Sequence, residues 1–236
     1  MSSILQVEGG HPLRGEITVR GAKNFVPKAL VASLLADTPS ALDNVPLSRD
    51  TDVVSDLLSL HGVQIDFDQD RGTLRMDPSN VKIASRSDID TLAGASRIPI
   101  LFCGPLLHQL GEAFIPELGG CAIGGRPIDF HLETLRKFGA IVDKQPDGVH
   151  IKRPATGLHG AIIELPFPSV GATEQTLLTA VRNEGITTLK GAAIEPEILD
   201  LINVLQKMGA IISVDTDRTI RIEGVAKLTG YRHTAL

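Results

Sequence analysis

One phrase recurs along this chain and restricts its fold more than any other feature. Leu57-Leu58-Ser59-Leu60-His61-Gly62-Val63, Leu135-Arg136-Lys137-Phe138-Gly139-Ala140 and Leu205-Gln206-Lys207-Met208-Gly209-Ala210 each close an apolar run of helical spacing with a glycine. A glycine there suits the left-handed position that ends a helix, because it has no Cβ to clash. Each phrase leads into a strand-like stretch, Val63–Phe67, Ala140–Val142 and Ala210–Val214. A polar turn and a second short strand follow in every case, over Gly72–Met76, Gly148–Lys152 and Thr219–Glu223. The unit helix, strand, turn, strand thus occurs three times.

A second phrase marks where units open: Leu13-Arg14-Gly15, Leu158-His159-Gly160 and Leu228-Thr229-Gly230. The unit between the last two spans about 70 residues, longer than a simple solenoid repeat and close to a small α/β module. The third opening stands eight residues before Leu236, so either the protein is longer or its ending packs back on the existing core. Helical apolar spacing covers Phe25–Leu35, Thr51–Leu60, Ser96–His108, Pro127–Phe138, Ala172–Glu184 and Pro196–Met208. Pro127 and Pro196 suit a first turn, where the missing N–H is not needed, and Asp129, Glu195 and Glu197 suit the positive end of the helix dipole. With strand candidates at Glu16–Arg20 and Ile162–Leu165 added, the reading is an α/β chain of three βαβαββ-like units.

Composition narrows function by exclusion. Aromatic residues make up 3% of the 236, tryptophan is absent and the net charge is -5 without a basic block, so neither stacking surfaces nor the electrostatic footprint of a nucleic-acid binder is present. The two cysteines stand in unrelated contexts and the seven histidines are scattered, which predicts no disulfide framework, no metal site and no cofactor. No apolar stretch has the length of a signal core or a membrane span, so a reduced, cytoplasmic setting is expected.

Chemistry concentrates at strand-to-helix junctions. Gly21-Ala22-Lys23-Asn24 presents an ammonium beside helix N-terminal amides, which is an anion site or, as plainly, a solvated lysine next to a capping asparagine. Ser169-Val170-Gly171-Ala172-Thr173 sits at the matching junction of the third unit, with the same two readings. Arg97 opens an apolar helix, where its head must find a carboxylate, a phosphate or the surface. Pro116–His131 reads PELGGCAIGGRPIDFH, with Cys121 among four glycines and Arg126 at a helix start. Cys121 therefore belongs to a ligand-facing loop and Arg126 to its anion contacts, whereas Cys103, inside IPILFCGPLL, is a core residue.

In this order the motifs GAKN (21–24), the Arg97 helix ending at Gly104-Pro105, GGCAIGGRPIDFH (119–131), SVGAT (169–173) and EPEI (195–198) resemble the enolpyruvyl transferases. The resemblance implies an inside-out α/β barrel, one domain of two, with helices central and sheets outside. It implies transfer of the enolpyruvyl group from phosphoenolpyruvate to the 3-hydroxyl of UDP-N-acetylglucosamine, the first committed step of peptidoglycan synthesis and the target of fosfomycin. Lys23, Arg97 and Arg126 would then bind phosphoenolpyruvate, and Cys121 would be the catalytic proton donor. Asn24, Arg126, Pro127, Ile128, Asp129, Phe130, His131, Ser169, Val170, Gly171 and Glu195 would bind UDP-N-acetylglucosamine. Residues 14–228 would form the domain, 1–13 and 229–236 would be remnants of a second, and that second domain would bring the deprotonating aspartate and further arginines. Phe167 and Ile194 depart from the pattern, standing where some members carry lysine and arginine. Two other readings remain open: a UDP-sugar-binding or protein-interaction module without turnover, and a transferase acting on shikimate phosphate, against which the Cys121 loop argues.

Overall fold

Three separate sheets and a set of buried helices make up the computed structural model, which describes residues 4–93, 96–116, 118 and 128–236. The first unit holds α1 (Val26–Ala32), a 3-10 turn over Ser33–Leu35, β1 (Ser40–Asp43), α2 (Arg49–Leu60), β2 (Gln64–Asp68) and β3 (Thr73–Asp77). The second holds α3 (Arg86–Ala93), a 3-10 segment over Ile98–Phe102, α4 (Cys103–Gln109), β4 (Glu112–Ile115), α5 (Asp129–Lys137), β5 (Ile141–Gln145) and β6 (Gly148–Lys152). The third holds β7 (Ile162–Glu164), α6 (Val170–Ala180), β8 (Ile186–Lys190), α7 (Pro196–Lys207), β9 (Ile211–Val214) and β10 (Ile220–Glu223), and β11 (Arg232–Thr234) follows.

The three recurrent glycines end α2, α5 and α7 as the sequence predicts, at φ of 86°, 92° and 105° for Gly62, Gly139 and Gly209. Each carries the same pair of hydrogen bonds. In α2 the amide of Gly62 donates to Ser59 O at 2.9 Å and that of Val63 to Leu58 O at 3.0 Å. Gly139 and Ala140, and Gly209 and Ala210, repeat the pattern on Arg136, Leu135, Gln206 and Leu205. In all three units a glycine-ended helix leads into a strand through this same pair of hydrogen bonds.

Strand alternation shows which way the sheets face. Leu74 and Met76 of β3, Val149 and Ile151 of β6, and Ile220 and Ile222 of β10 are buried, while their neighbours face outward. Two of the helices lie inside. Every residue of α1 is buried, and so is α6 from Ala172 to Ala180, although α6 contains three threonines and a glutamine. Those polar groups bond within the helix: Thr176 Oγ1 donates to Ala172 O at 2.8 Å and Thr179 Oγ1 to Gln175 O at 2.7 Å. Helix α4 crosses α6 at Gly104, where an added Cβ would strike Thr179, so only glycine allows that approach. Cys103 beside it is fully buried, and burial pushes its thiol far up, as its apolar context predicts.

The sheets are ordered β11-β1-β3-β2, β4-β6-β5 and β7-β8-β10-β9. Strand β11 runs parallel to β1 with His233 opposite Leu42, as β7 runs parallel to β8 with Ile163 opposite Leu189. Residues 232–234 therefore take a place in the first sheet, beside β1. The strand predicted at Glu16–Arg20 does not form. Residues 16–20 are exposed and form no regular structure, and both sides of β1 are taken by β11 and β3. Ile4, Leu5, Val7, Leu13, Ile17 and Val19 are likewise exposed.

Candidate functional site

A polar cleft opens between the starts of α1 and α6, and it gathers residues from all three units. Lys23 and Asn24 come from the turn before α1, and its backbone is fixed from the far end of the chain. Gly21 N donates to Asn44 O at 2.9 Å, Ala22 N to Leu236 O at 2.7 Å and Asn44 Nδ2 to Ala235 O at 2.9 Å. Lys23 Nζ lies 3.2 Å from Asp50 Oδ2 on α2. Ser96 donates to the other oxygen of Asp50 at 3.4 Å and accepts from Ile98 N at 3.2 Å, which sets the chain at Arg97. Arg97 lines the cleft half-buried.

The opposite wall is α6. Ser169 caps it, accepting from Ala172 N at 3.3 Å, so Val170 and Gly171 present the first turn of a helix toward the cations. Gly171 is required by its neighbour, since a Cβ there would meet His131 Nε2 at 2.8 Å. His131 packs across α6 with Nδ1 3.4 Å from Gln175 Oε1. Desolvation lowers its pKa to about 4, against the partial support of Gln175 and with Arg97 adding to the fall, so the ring is neutral at physiological pH. A neutral imidazole shapes this wall and offers hydrogen bonds without charge.

Two residues that the sequence reading passed over stand deepest. Lys28 of α1 lies 3.4 Å from Glu174 of α6, both side chains nearly buried, and Lys28 Nζ also donates to Asn24 O at 2.5 Å. Burial raises the Glu174 carboxyl to about 7, opposed by Lys28 and assisted by Glu197 from α7, which also lines the cleft. The signal was available: each is the one charged residue of an apolar or uncharged helix, and such a charge must have a partner.

Of the sequence candidates, Lys23, Asn24, Arg97, His131, Val170 and Gly171 meet in this cleft. Ser169 acts at its edge as the cap. Asp129 instead pairs with Lys144 of β5 at 3.3 Å on the surface, and Phe130 meets Phe167 edge-on at 5.3 Å between centroids. Ile128 is half-buried against the core, and Glu195 is exposed as the residue before α7, while Glu197 faces the cleft. Cys121, Arg126 and Pro127 lie outside the described residues.

The family model described as EPSP synthase (3-phosphoshikimate 1-carboxyvinyltransferase) matches residues 7–235. The chain belongs to the EPSP synthase family. Among curated members, it is 41% identical over 237 residues to the UDP-N-acetylglucosamine 1-carboxyvinyltransferase of Protochlamydia amoebophila, covering 99% of this chain and 50% of that protein. It is 43% identical over 233 residues to the protein of the same name from Acidiphilium cryptum, covering 98% and 54%. The chain thus spans about half the length of the curated relatives it matches. Two solved structures of enolpyruvyl transferases share its fold: NikO from Streptomyces tendae, with a TM-score of 0.80 at 22% identity over 96% of this chain and 52% of that one, and EPSP synthase from Acinetobacter baumannii, with a TM-score of 0.73 at 18% identity over 94% and 49%. The α/β class read from the sequence is that of the family. Among the described residues, no helix is long and apolar enough to cross a membrane.

Proposed function

We propose that this chain forms one wall of an enolpyruvyl transferase cleft, in which the enolpyruvyl group of phosphoenolpyruvate passes to the 3-hydroxyl of UDP-N-acetylglucosamine and phosphate leaves. The observation that carries the reading is the convergence of Lys23, Arg97 and the first turn of α6 on one cleft. Two cations and a helix start suit a substrate pair that is anionic at both members. The names of the relatives at 41% and 43% identity favour the UDP-sugar over shikimate phosphate as acceptor. Peptidoglycan synthesis in the cytoplasm is the corresponding setting.

In this reading the hydroxyl gives its proton to a base as its oxygen adds to C2 of phosphoenolpyruvate and C3 gains a proton, and loss of a C3 proton with departure of phosphate restores the double bond. Lys23 and Arg97 neutralise the phosphate and carboxylate, which lets the electron-rich groups approach. Asn24 meets the amino-sugar, and Val170 and Gly171 meet the diphosphate, with Arg126 through His131, Ser169 and Glu195 completing the nucleotide contacts. Cys121 is the proposed proton donor, effective while it remains a thiol.

Half-length coverage favours a second reading, in which the chain binds the UDP-sugar and does not turn it over, because a partner domain supplies the base. Calorimetric titration with UDP-N-acetylglucosamine, followed by phosphate release in the presence of phosphoenolpyruvate, separates them. Binding with release supports the transferase, and binding without release supports the module. Absence of binding, or binding of shikimate 3-phosphate in its place, would overturn the UDP-sugar assignment.

A further inference from the structure

Helix α1 begins with a defect that Lys28 repairs. Asn24 O needs an amide three or four residues on, but Pro27 has none and Lys28 N donates to Phe25 O at 3.0 Å. The carbonyl is taken instead by the Lys28 side chain, at 2.5 Å. That leaves an ammonium nearly buried in an apolar helix, where it is tolerated only with a counter-charge, and Glu174 supplies it from α6 at 3.4 Å. A buried ion pair is poor evidence of stability, since apolar replacements of similar size are often as good or better. What this pair does is join two places: the turn carrying Lys23 and Asn24 in the first unit, and the helix whose first turn carries Val170 and Gly171 in the third.

We infer that Lys28 and Glu174 are positioning residues of the cleft: the lysine holds the Asn24 carbonyl, and the carboxyl holds the lysine, so that the Lys23–Asn24 turn keeps a fixed place against the start of α6. The inference deepens the functional reading above and rests on it for its link to substrate. Both side chains are committed to the protein, and the ligand meets Lys23 and Asn24.

Amide hydrogen exchange tests the pair without any ligand. Phe25 N and Val26 N both donate to Ala22 O, at 3.0 and 3.2 Å, and report the turn, while Leu177 and Leu178 report the body of α6. In Lys28→Met, exchange at Phe25 and Val26 is expected to rise about tenfold or more with Leu177 and Leu178 unchanged, since loss of a local tie opens a local unit. Lys28→Arg should restore most of the protection, and Glu174→Gln, which keeps size and fold, should give a change of the same sign but smaller, about threefold. Affinity for UDP-N-acetylglucosamine should fall in the same order across the variants. Unchanged protection of the turn, or an equal loss in turn and helix body, would overturn the positioning role. If Lys28→Met does not fold, Glu174→Gln decides by the same two regions. Wild-type chain that shows the expected exchange pattern but no binding sinks the functional reading and leaves the pair's hold on the turn; binding with unmoved exchange does the reverse.

Discussion

Glu174→Gln should remove a fall in this chain's stability between about pH 4.5 and 7. The Glu174 carboxyl is raised from an ordinary 4.5 to about 7, chiefly by burial, with Lys28 on α1 opposing and Glu197 on α7 adding to the rise. Its folded pKa lies above its unfolded one, so between about pH 4.5 and 7 the unfolded chain releases the proton first. Stability therefore declines as pH rises through that window and stays low above it. At about 1.4 kcal/mol per pH unit, the gap corresponds to about 3 kcal/mol. Glutamine cannot ionise, so the variant lacks this decline, although the ammonium of Lys28 then sits without a counter-charge at every pH. That constant cost cancels in the quantity to be measured, which is the unfolding free energy of variant minus wild type at pH 8.5 less the same difference at pH 4.5. Burial also lowers His108 and His131 to about 4, giving both proteins the same loss of stability as pH falls below about 6.5, and this cancels too. Urea unfolding followed by far-ultraviolet circular dichroism across the range gives the numbers. A difference that stays constant within about 0.5 kcal/mol would refute the reasoning, because a carboxyl so placed cannot titrate without coupling to folding.

Gly104→Ala should cost about 1–3 kcal/mol in a urea titration, because the added methyl must push α4 off Thr179, whose hydroxyl is held by Gln175. Ser169→Ala, which removes the cap of α6 and lets its first turn fray, should cost about 1 kcal/mol by the same assay. Cys103 should resist iodoacetamide in the native chain and react on unfolding, as peptide mass mapping after each treatment would show; labelling of Cys103 under native conditions would contradict its burial.

The repeated glycine-ended helices were legible because a left-handed residue leaves a local mark, and Gly62, Gly139 and Gly209 all occupy it. Lys23, Asn24, Arg97, His131, Val170 and Gly171 were named from motifs far apart in the sequence, and the packing of the helices brings them to one cleft. Strands β1, β4, β8 and β11 were missed: three to five residues such as Ser40–Asp43 take their conformation from the sheet they enter more than from their own pattern. Glu16–Arg20 shows the converse, with strand-like alternation but no pairing to a sheet. The identity of Lys28's partner was beyond reach of spacing, because 146 positions separate it from Glu174 and only the packing of α1 near α6 joins them. Asp129 and Glu195 carry the right residue types in matching motifs, yet here one pairs with Lys144 and the other is exposed.

The pairing of β11 with β1 bears on how the chain is made. Synthesis delivers residues 40–77 early, but the parallel neighbour of β1 is at 232–234, so the first sheet to leave the ribosome is the last to be finished. Until then one side of β1 offers unpaired amides and carbonyls, an edge open to mispairing with any extended segment nearby, including the strand-like residues 16–20. The arrival of β11 would close that edge and fix the Gly21–Asn44 contacts in the same step, through Ala235 and Leu236. The Lys23–Asn24 turn thus gains these contacts only once residues 232–236 have been made.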